Sequence, residues 1–414
     1  MWSSPLSDDE SYLLLTLREW TRRGHLYDHV YSQYGPFYYL LFGLPSRVFG
    51  ITWTIDAGRI TNLALWSGSC FLLGLTVWKV TARIGFGLAT LVLTFSMLST
   101  LVNEPMHPGA LLCVLLAALV ANVAVLRPRR PGMSDVLSGA LVAALVLTKL
   151  NVGAFAGIAL AFVVVEGLPA TRSPWWRRAV RAAFVATGPV LLLSNGVKGW
   201  EIELAAIYVA AAAAVLLASS ASRRTPETSA ELSSSRIAFG FFVIAAITIG
   251  FTVTTGSTAG GLWNGIVRRP FEFSKLLAVP INLPAAAWAW LVIVPLAGFV
   301  LRRRAESGQP LIPIGLSAAI RILGGAALIS FVLGPASTPG LFIVEGGGIR
   351  FALLPLVALV LVPRTARGTA PPGDLAARRL LAAAAVIEAL MHIRCPGARS
   401  RGASCSRQCV ARWQ

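Results

Sequence analysis

The chain has 414 residues, 56% hydrophobic and only 13% charged, with 36 Lys and Arg against 18 Asp and Glu. A soluble domain averages about 45–50% apolar and about 25% charged residues, so this composition, with a mean hydropathy of +0.70, excludes an ordinary soluble globule and a disordered chain. The net charge of +18 would raise nucleic acid in a soluble protein, but in a polytopic membrane protein it reports topology, because Lys and Arg collect in cytoplasmic loops.

The run SDDESYLLLTLREWTRRGH predicts an interfacial helix. Ser7 and Glu10 form a capping box, Asp8 and Asp9 suit the first turn, and Arg22 and Arg23 suit the last before Gly24 stops it. A second amphipathic stretch runs from Pro36 to Phe49 and ends at Gly50. Tyr31, Tyr34, Tyr38, Tyr39 and Trp53 are placed as an aromatic belt at the headgroup level.

Eleven apolar segments follow, at about 55–78, 84–102, 107–126, 134–148, 150–166, 182–196, 203–221, 237–256, 282–301, 311–334 and 351–363. Helices are expected, since a segment in lipid must satisfy its own backbone. Alternate connections are basic: Lys79 and Arg83; Arg127, Arg129 and Arg130; Arg172, Arg177, Arg178 and Arg181; Arg223, Arg224 and Arg236; Arg302 to Arg304; Arg364 and Arg367. Basic flanks on both sides of 134–167 require an even number of crossings, so a hairpin turning at Lys149–Asn151 is expected there. The resulting parity puts 1–54 outside as an extracytoplasmic loop with juxtamembrane helices, 55–363 as the transmembrane domain, and 364–414 as a cytoplasmic tail.

Cys70 and Cys113 read as small core residues, and Cys395, Cys405 and Cys409 beside His392 lack zinc-site spacing. No apolar segment precedes the outer loop, so a leading transmembrane helix is expected to be missing. From about Arg394 the tail has no apolar period and reads as aberrant or disordered.

The topology gathers a polar set on the outer face: Asp9 and Glu10, Glu104, His107, Lys149, Lys198, Arg268, Arg269, Lys275 and Arg350. A carboxylate there suits general-base chemistry as well as helix capping. Cations near the headgroup plane suit a lipid phosphate, Arg bidentately and Lys as a point charge. The loop 257–281 interleaves Trp263, Phe271 and Phe273 with Arg268, Arg269 and Lys275, and is expected to be either an interfacial lid or a solvated loop with membrane anchors. Gly153 and Gly157 are read as a helix-packing notch.

Asp9-Glu10-Ser11-Tyr12, then Tyr27-Asp28-His29, then Tyr34-Gly35-Pro36 resemble the first outer loop of GT-C superfamily glycosyltransferases. The nearest likeness is to bacterial relatives of protein O-mannosyltransferases and lipid A aminoarabinose transferases. Thr148-Lys149-Leu150-Asn151-Val152-Gly153 and Asn103-Glu104-Pro105-Met106-His107-Pro108-Gly109 extend the likeness over roughly 8–363, while Gly35-Pro36 stands where many members have Pro-Pro.

The resemblance implies an all-α, polytopic membrane fold of about eleven transmembrane helices. It implies an inverting transferase that moves a sugar from a polyprenyl-phosphate donor to a glycan, lipid or protein acceptor at the outer face of the cytoplasmic membrane. Asp9 is then the base with Glu10 as fallback. Lys149, Arg268, Arg269 and Arg350 hold donor phosphate, and Asp28, His29, Tyr34, Glu104, His107 and Asn151 line the cavity. A divalent metal at Asp8 and Asp9 stays open, since an oxygen site needs six or more ligands. The bilayer is the expected partner and nucleic acid is not. The alternatives are a transporter or lipid-carrier flippase, which would show paired broken helices, and a non-catalytic truncated remnant.

Overall fold

The computed structural model describes residues 8–99, 106–168, 174–193, 199–221, 232–270 and 374–392, with short pieces at 288–289, 291–297, 300 and 354–355. The described residues are all-α apart from one isolated bridge between Leu26 and Val30. The expected spans 282–301, 311–334 and 351–363 lie outside them, as does the tail from 394.

The helices are α1 (Asp8–Arg23), α2 (Pro36–Phe49), α3 (Ile55–Thr81), α4 (Ile84–Ser99), α5 (Pro108–Ala121), α6 (Pro131–Thr148) and α7 (Leu150–Gly167). They continue as α8 (Pro174–Leu193), α9 (Gly199–Ala221), α10 (Ser234–Thr254), α11 (Ala259–Trp263) and α12 (Asp374–His392). π-helical turns extend α5 through Asn122–Leu126 and α11 through Asn264–Arg268.

Among the described residues, six helices are long and apolar enough to cross a membrane: α3, α5 with its π turn, α6, α7, α9 and α10. A helix of about 20 residues spans the roughly 30 Å hydrocarbon core. Large apolar side chains stay uncovered on these helices, among them Phe71 on α3 and Phe239, Phe242 and Ile247 on α10. In water such a surface would be a liability; facing lipid it costs nothing. The chain is an integral, multi-pass membrane protein.

Two compact units divide the chain. The first comprises Met1–Pro174, Glu227–Phe271 and Ala370–Leu381; the second Trp175–Pro226, Glu272–Thr369 and Ala382–Gln414. Within the first, small residues let helices approach closely. A side chain at Gly139 of α6 would strike the Ile237 carbonyl of α10, and one at Gly240 of α10 would strike the Val136 carbonyl of α6. Helix packing in lipid relies on such contacts, because no hydrophobic drive separates a neighbouring helix from lipid tails.

The turn at Lys149 forms as expected. Lys149 is the single extended residue between α6 and α7, with φ −154° and ψ 108°. Gly153 then packs on the backbone of Leu145 and Val146, and Gly157 faces the Val142 side chain. Contacts that run backward along α6 as α7 runs forward define an antiparallel hairpin, with the glycine notch at its tip.

Arg127 lies in the connection between α5 and α6, as expected, but not as a solvated base. Its side chain is buried and pairs with the equally buried Asp135 at 2.7 Å. Asp135 also accepts from the Ser233 backbone N–H at 3.1 Å, and Asn122 donates to the Ser134 carbonyl and the Ser138 hydroxyl, each at 2.8 Å. Arg127 therefore neutralises an internal acid at the α5–α6 turn, while Arg129 and Arg130 stay exposed.

The segment 172–181 also differs from expectation. Its basic residues from Arg177 on are the first turns of α8 rather than a connection. An amphipathic start with three arginines does not register as an apolar run, so the helix begins eight residues before its apolar part. In the second unit, the Tyr208 hydroxyl of α9 donates to the Phe184 carbonyl of α8 at 2.6 Å. In the tail, α12 is a helix; in the first unit its Arg378 and Arg379 donate to the carbonyls of Val80 and Glu166.

Candidate functional site

Both N-terminal helices match their sequence signals. α1 ends at Gly24 (φ 69°) and α2 at Gly50 (φ 66°), each in the left-handed region that glycine tolerates. Their mutual packing buries Leu14, Leu17, Trp20, Tyr38, Tyr39 and Phe42. The aromatic belt is thus partly wrong: Tyr38 and Tyr39 are fully buried core, while Tyr31 stays exposed.

The connecting loop 24–35 organises the site. His25 (φ 54°) and Tyr27 (φ 71°) also take left-handed backbone, which for non-glycine residues costs about 1–3 kcal/mol each and recurs at functional sites. The surroundings hold that strain in place. The Tyr27 hydroxyl donates to the Tyr34 carbonyl at 2.7 Å, and the Tyr34 N–H donates to Ser32 Oγ at 3.0 Å. Burial raises the Tyr27 pKa well above the ordinary value, with Tyr39 and Tyr12 adding to it, so its hydroxyl stays a donor.

One face of α11 and its π extension lies along this loop. Gly261 sits over the Asp28 carboxylate, Gly265 over the Tyr27 ring, and the Arg269 guanidinium over the Tyr31 ring at 4.9 Å. The spacing of four residues is one helical face. Asp28 accepts from the Thr258 N–H at 2.8 Å and from the Thr258 hydroxyl at 2.7 Å. Partial burial raises the Asp28 pKa, but the Thr258 side-chain and backbone hydrogen bonds and nearby His29 and His25 outweigh it, so the net shift is downward.

The expected loop 257–281 is therefore corrected for its described part, which is helical from 259 to 270. Thr258 caps it, accepting from the Gly261 N–H at 3.0 Å. Paired glycines in AGGLWNG hide the helix from propensity, yet they are what lets it settle on the loop.

Tyr34 and His107 meet. The Tyr34 hydroxyl lies 2.9 Å from His107 Nε2, while His107 Nδ1 accepts from the Gly109 N–H at 3.0 Å. A ring that accepts at Nδ1 carries its proton on Nε2, so His107 donates to the Tyr34 oxygen. His107 thereby caps α5, with Pro108 at the first helical position. One turn along α2, the Tyr38 hydroxyl donates to the Met106 carbonyl at 3.0 Å.

Gly35 brings a second motif to the same place. Its N–H donates to the Thr148 carbonyl at 2.8 Å, and any side chain there would strike the Leu147 carbonyl. The Tyr34-Gly35-Pro36 and Thr148-Lys149 stretches, 113 residues apart in sequence, thus touch backbone to backbone. Lys149 is half-buried beside this contact, and its ammonium has no hydrogen-bond partner among the described residues. A cation so placed wants an anion or water.

Other expected members separate. His29 stacks edge-on against His25 at 5.1 Å. Asn151 is half-buried and accepts from the neighbouring Val152 N–H at 3.0 Å, a role in starting α7. Arg268 is exposed. Asp9 and Glu10 occupy the first turn of α1, one turn before Tyr12, whose hydroxyl donates to the Tyr31 carbonyl at 3.2 Å. Glu104 and Arg350 lie outside the described residues, as do Lys198 and Lys275. Among the described residues no group of three or more His, Cys, Asp or Glu gathers as a metal site, and the side chains of Asp8 and Asp9 are outside that set.

Residues that sequence reasoning missed are Tyr12, Tyr31 and Thr258, which join α1, the loop and α11. The four-residue repeat Gly261, Gly265, Arg269 was a readable signal for a seated helix face. Compared with known proteins, the chain matches no family model, no curated protein and no solved structure.

Proposed function

We propose that the chain is a membrane glycosyltransferase of the GT-C kind, transferring a sugar from a polyprenyl-phosphate donor at the outer face of the cytoplasmic membrane. The observation that supports this reading is a link from α1 through the 24–35 loop to Arg269. Tyr12, one turn from Asp9, holds the Tyr31 backbone, and Arg269 stacks on the Tyr31 ring. Asp9 and Glu10 lie in the first turn of the helix that this link ties to Arg269.

In the reaction, an acceptor hydroxyl or amine attacks the anomeric carbon from the face opposite the phosphate. The carbon–oxygen bond to phosphate breaks, the configuration inverts, and polyprenyl phosphate leaves. Asp9 takes the acceptor's proton. Arg269, with Lys149 and Arg350, stabilises the charge that grows on the departing phosphate. Tyr34 and His107 shape the cavity wall. The topology that goes with this reading has eleven crossings, with residues 1–54 outside and the C-terminus cytoplasmic. The exposed Arg129 and Arg130 and the Arg-rich start of α8 support it.

Arg269→Ala tests the phosphate role. Loss of a bidentate, charge-assisted contact predicts a fall of about 10–100-fold in kcat/KM for the donor, with unchanged KM for the acceptor. A variant with wild-type donor kinetics would remove Arg269 from the site.

A further inference from the structure

We propose a second phosphate site, in which the headgroup of an anionic phospholipid sits in the basic cleft between the C-terminal ends of α1, α2 and α10. The cleft is open, encloses about 720 Å³ and lies some way from Asp9. Arg22, Arg23, His25 and Arg47 line it, together with small hydroxyl residues and the backbone of Gly24 and Gly256, and no acidic side chain does. Asp9 and Arg22 stand at opposite ends of α1, about 20 Å apart at 1.5 Å per residue. One phosphate cannot serve both places.

The cations divide into those already engaged and those that are not. Arg47 is held: it donates to the Trp20 carbonyl at 2.8 Å and stacks on the Trp20 ring at 4.5 Å. Arg23 pairs with Glu19 at 3.0 Å on the exposed surface of α1. Arg22 is exposed and has no hydrogen-bond partner among the described residues. Helix C-termini carry about −0.5 charge each, and Arg47 answers that of α1 directly. Arg22 remains for an anion, with the His25 ring lining the cleft beside it. The hydroxyls of Thr21, Ser46, Thr254 and Thr255 all donate to carbonyls of their own helices, so an anion in the cleft takes its donors from the basic side chains.

The surface beside the cleft says that the anion carries a lipid tail. Leu41, Leu44 and Val48 form one exposed stripe on α2, at the spacing of a helical face, and Phe49 and Ile51 continue it. Arg47 stands at the edge of that stripe. α10, whose C-terminal end forms one wall of the cleft, is among the helices that can cross the membrane, so the cleft lies at the level where a span ends. A phosphate in the cleft with an acyl chain along Leu41, Leu44 and Val48 satisfies both features at once. The site is independent of sugar transfer.

Native mass spectrometry of the full chain in detergent tests it, with dioleoyl phosphatidylglycerol, dioleoyl phosphatidylcholine and inorganic phosphate as the three probes. The expected result is one saturable phosphatidylglycerol per chain, weak phosphatidylcholine binding, and a roughly tenfold loss of phosphatidylglycerol affinity in R22Q/R47Q, the loss of about one charge-assisted contact. Arg22→Gln alone, at an exposed position, leaves the melting temperature unchanged and still weakens binding severalfold. Leu44→Ser with Val48→Ser weakens the lipid and not inorganic phosphate. Equal binding of the two lipids, or affinity untouched by the Arg22 variant, overturns the proposal. Inorganic phosphate that binds as tightly as the lipid overturns the lipid assignment and leaves a free-anion site.

Discussion

If the proposed sugar transfer is the activity, Asp9→Asn in the full chain is expected to lower its rate about 10²–10⁴-fold, the range for loss of a positioned general base. The substitution suits the question because Asn keeps the size of Asp and forfeits only the helix-dipole contribution, about 0.3–1 kcal/mol. It removes the proton acceptor and leaves the start of α1 in place. α1 is anchored elsewhere, by burial of Leu14, Leu17 and Trp20 and by the two hydrogen bonds from Arg18 to the Trp53 carbonyl. A fall in rate at constant helicity and melting temperature therefore reports chemistry. Glu10→Gln, the fallback acid, is expected to cost far less. Undiminished turnover in Asp9→Asn would exclude Asp9 as the base, and a large loss confined to Glu10→Gln would move the role one residue along.

Asp135→Ala destabilises the fold by about 3–5 kcal/mol, because it leaves a buried guanidinium without its charge partner. The Arg127–Asp135 pair is buried on both sides, and Asp135 also holds the Ser233 N–H at the start of α10. Deletion of one carboxylate thus loosens α5, α6 and α10 together, at the most closely packed helix pair in the first unit. Unfolding in detergent, followed by circular dichroism, reads the effect. Replacing both partners by apolar residues of similar size, as in R127M/D135L, is expected to recover much of the loss, since it removes the desolvation cost along with the attraction. A cost below about 1 kcal/mol for Asp135→Ala, the range of solvated surface pairs, would mean that water reaches the pair.

Much of the helical plan is legible in the sequence, and the reasons are physical. The start at Pro36 and the stops at Gly24 and Gly50 follow from the fixed φ of proline and the left-handed tolerance of glycine. The hairpin at Lys149 was readable from charge parity, because Arg-rich stretches flank 134–167 at both ends. Composition alone gave the apolar helices α3, α5, α6, α7, α9 and α10.

What stayed hidden depends on partners that are distant in sequence. Arg127 counts as a loop base until Asp135 folds over it. Tyr38 and Tyr39 look like belt aromatics until α1 covers them. The helix from 259 to 270 is disguised by its own glycines, whose value appears only when the 27–31 loop lies beneath them. In the candidate site, the contact of Tyr34 with His107 joins two motifs 73 residues apart. The link from α1 through Tyr12 and Tyr31 to Arg269 joins positions 257 residues apart, and nothing local announces it.

The most direct test of the central claim is made with the purified full chain in liposomes, given a radiolabelled sugar on polyprenyl phosphate and a mixture of lipid and glycan acceptors. The account predicts label covalently joined to an acceptor, inverted at the anomeric carbon, with release of one polyprenyl phosphate per sugar. Movement of intact donor between leaflets with no transfer product would contradict it and assign the chain to transport.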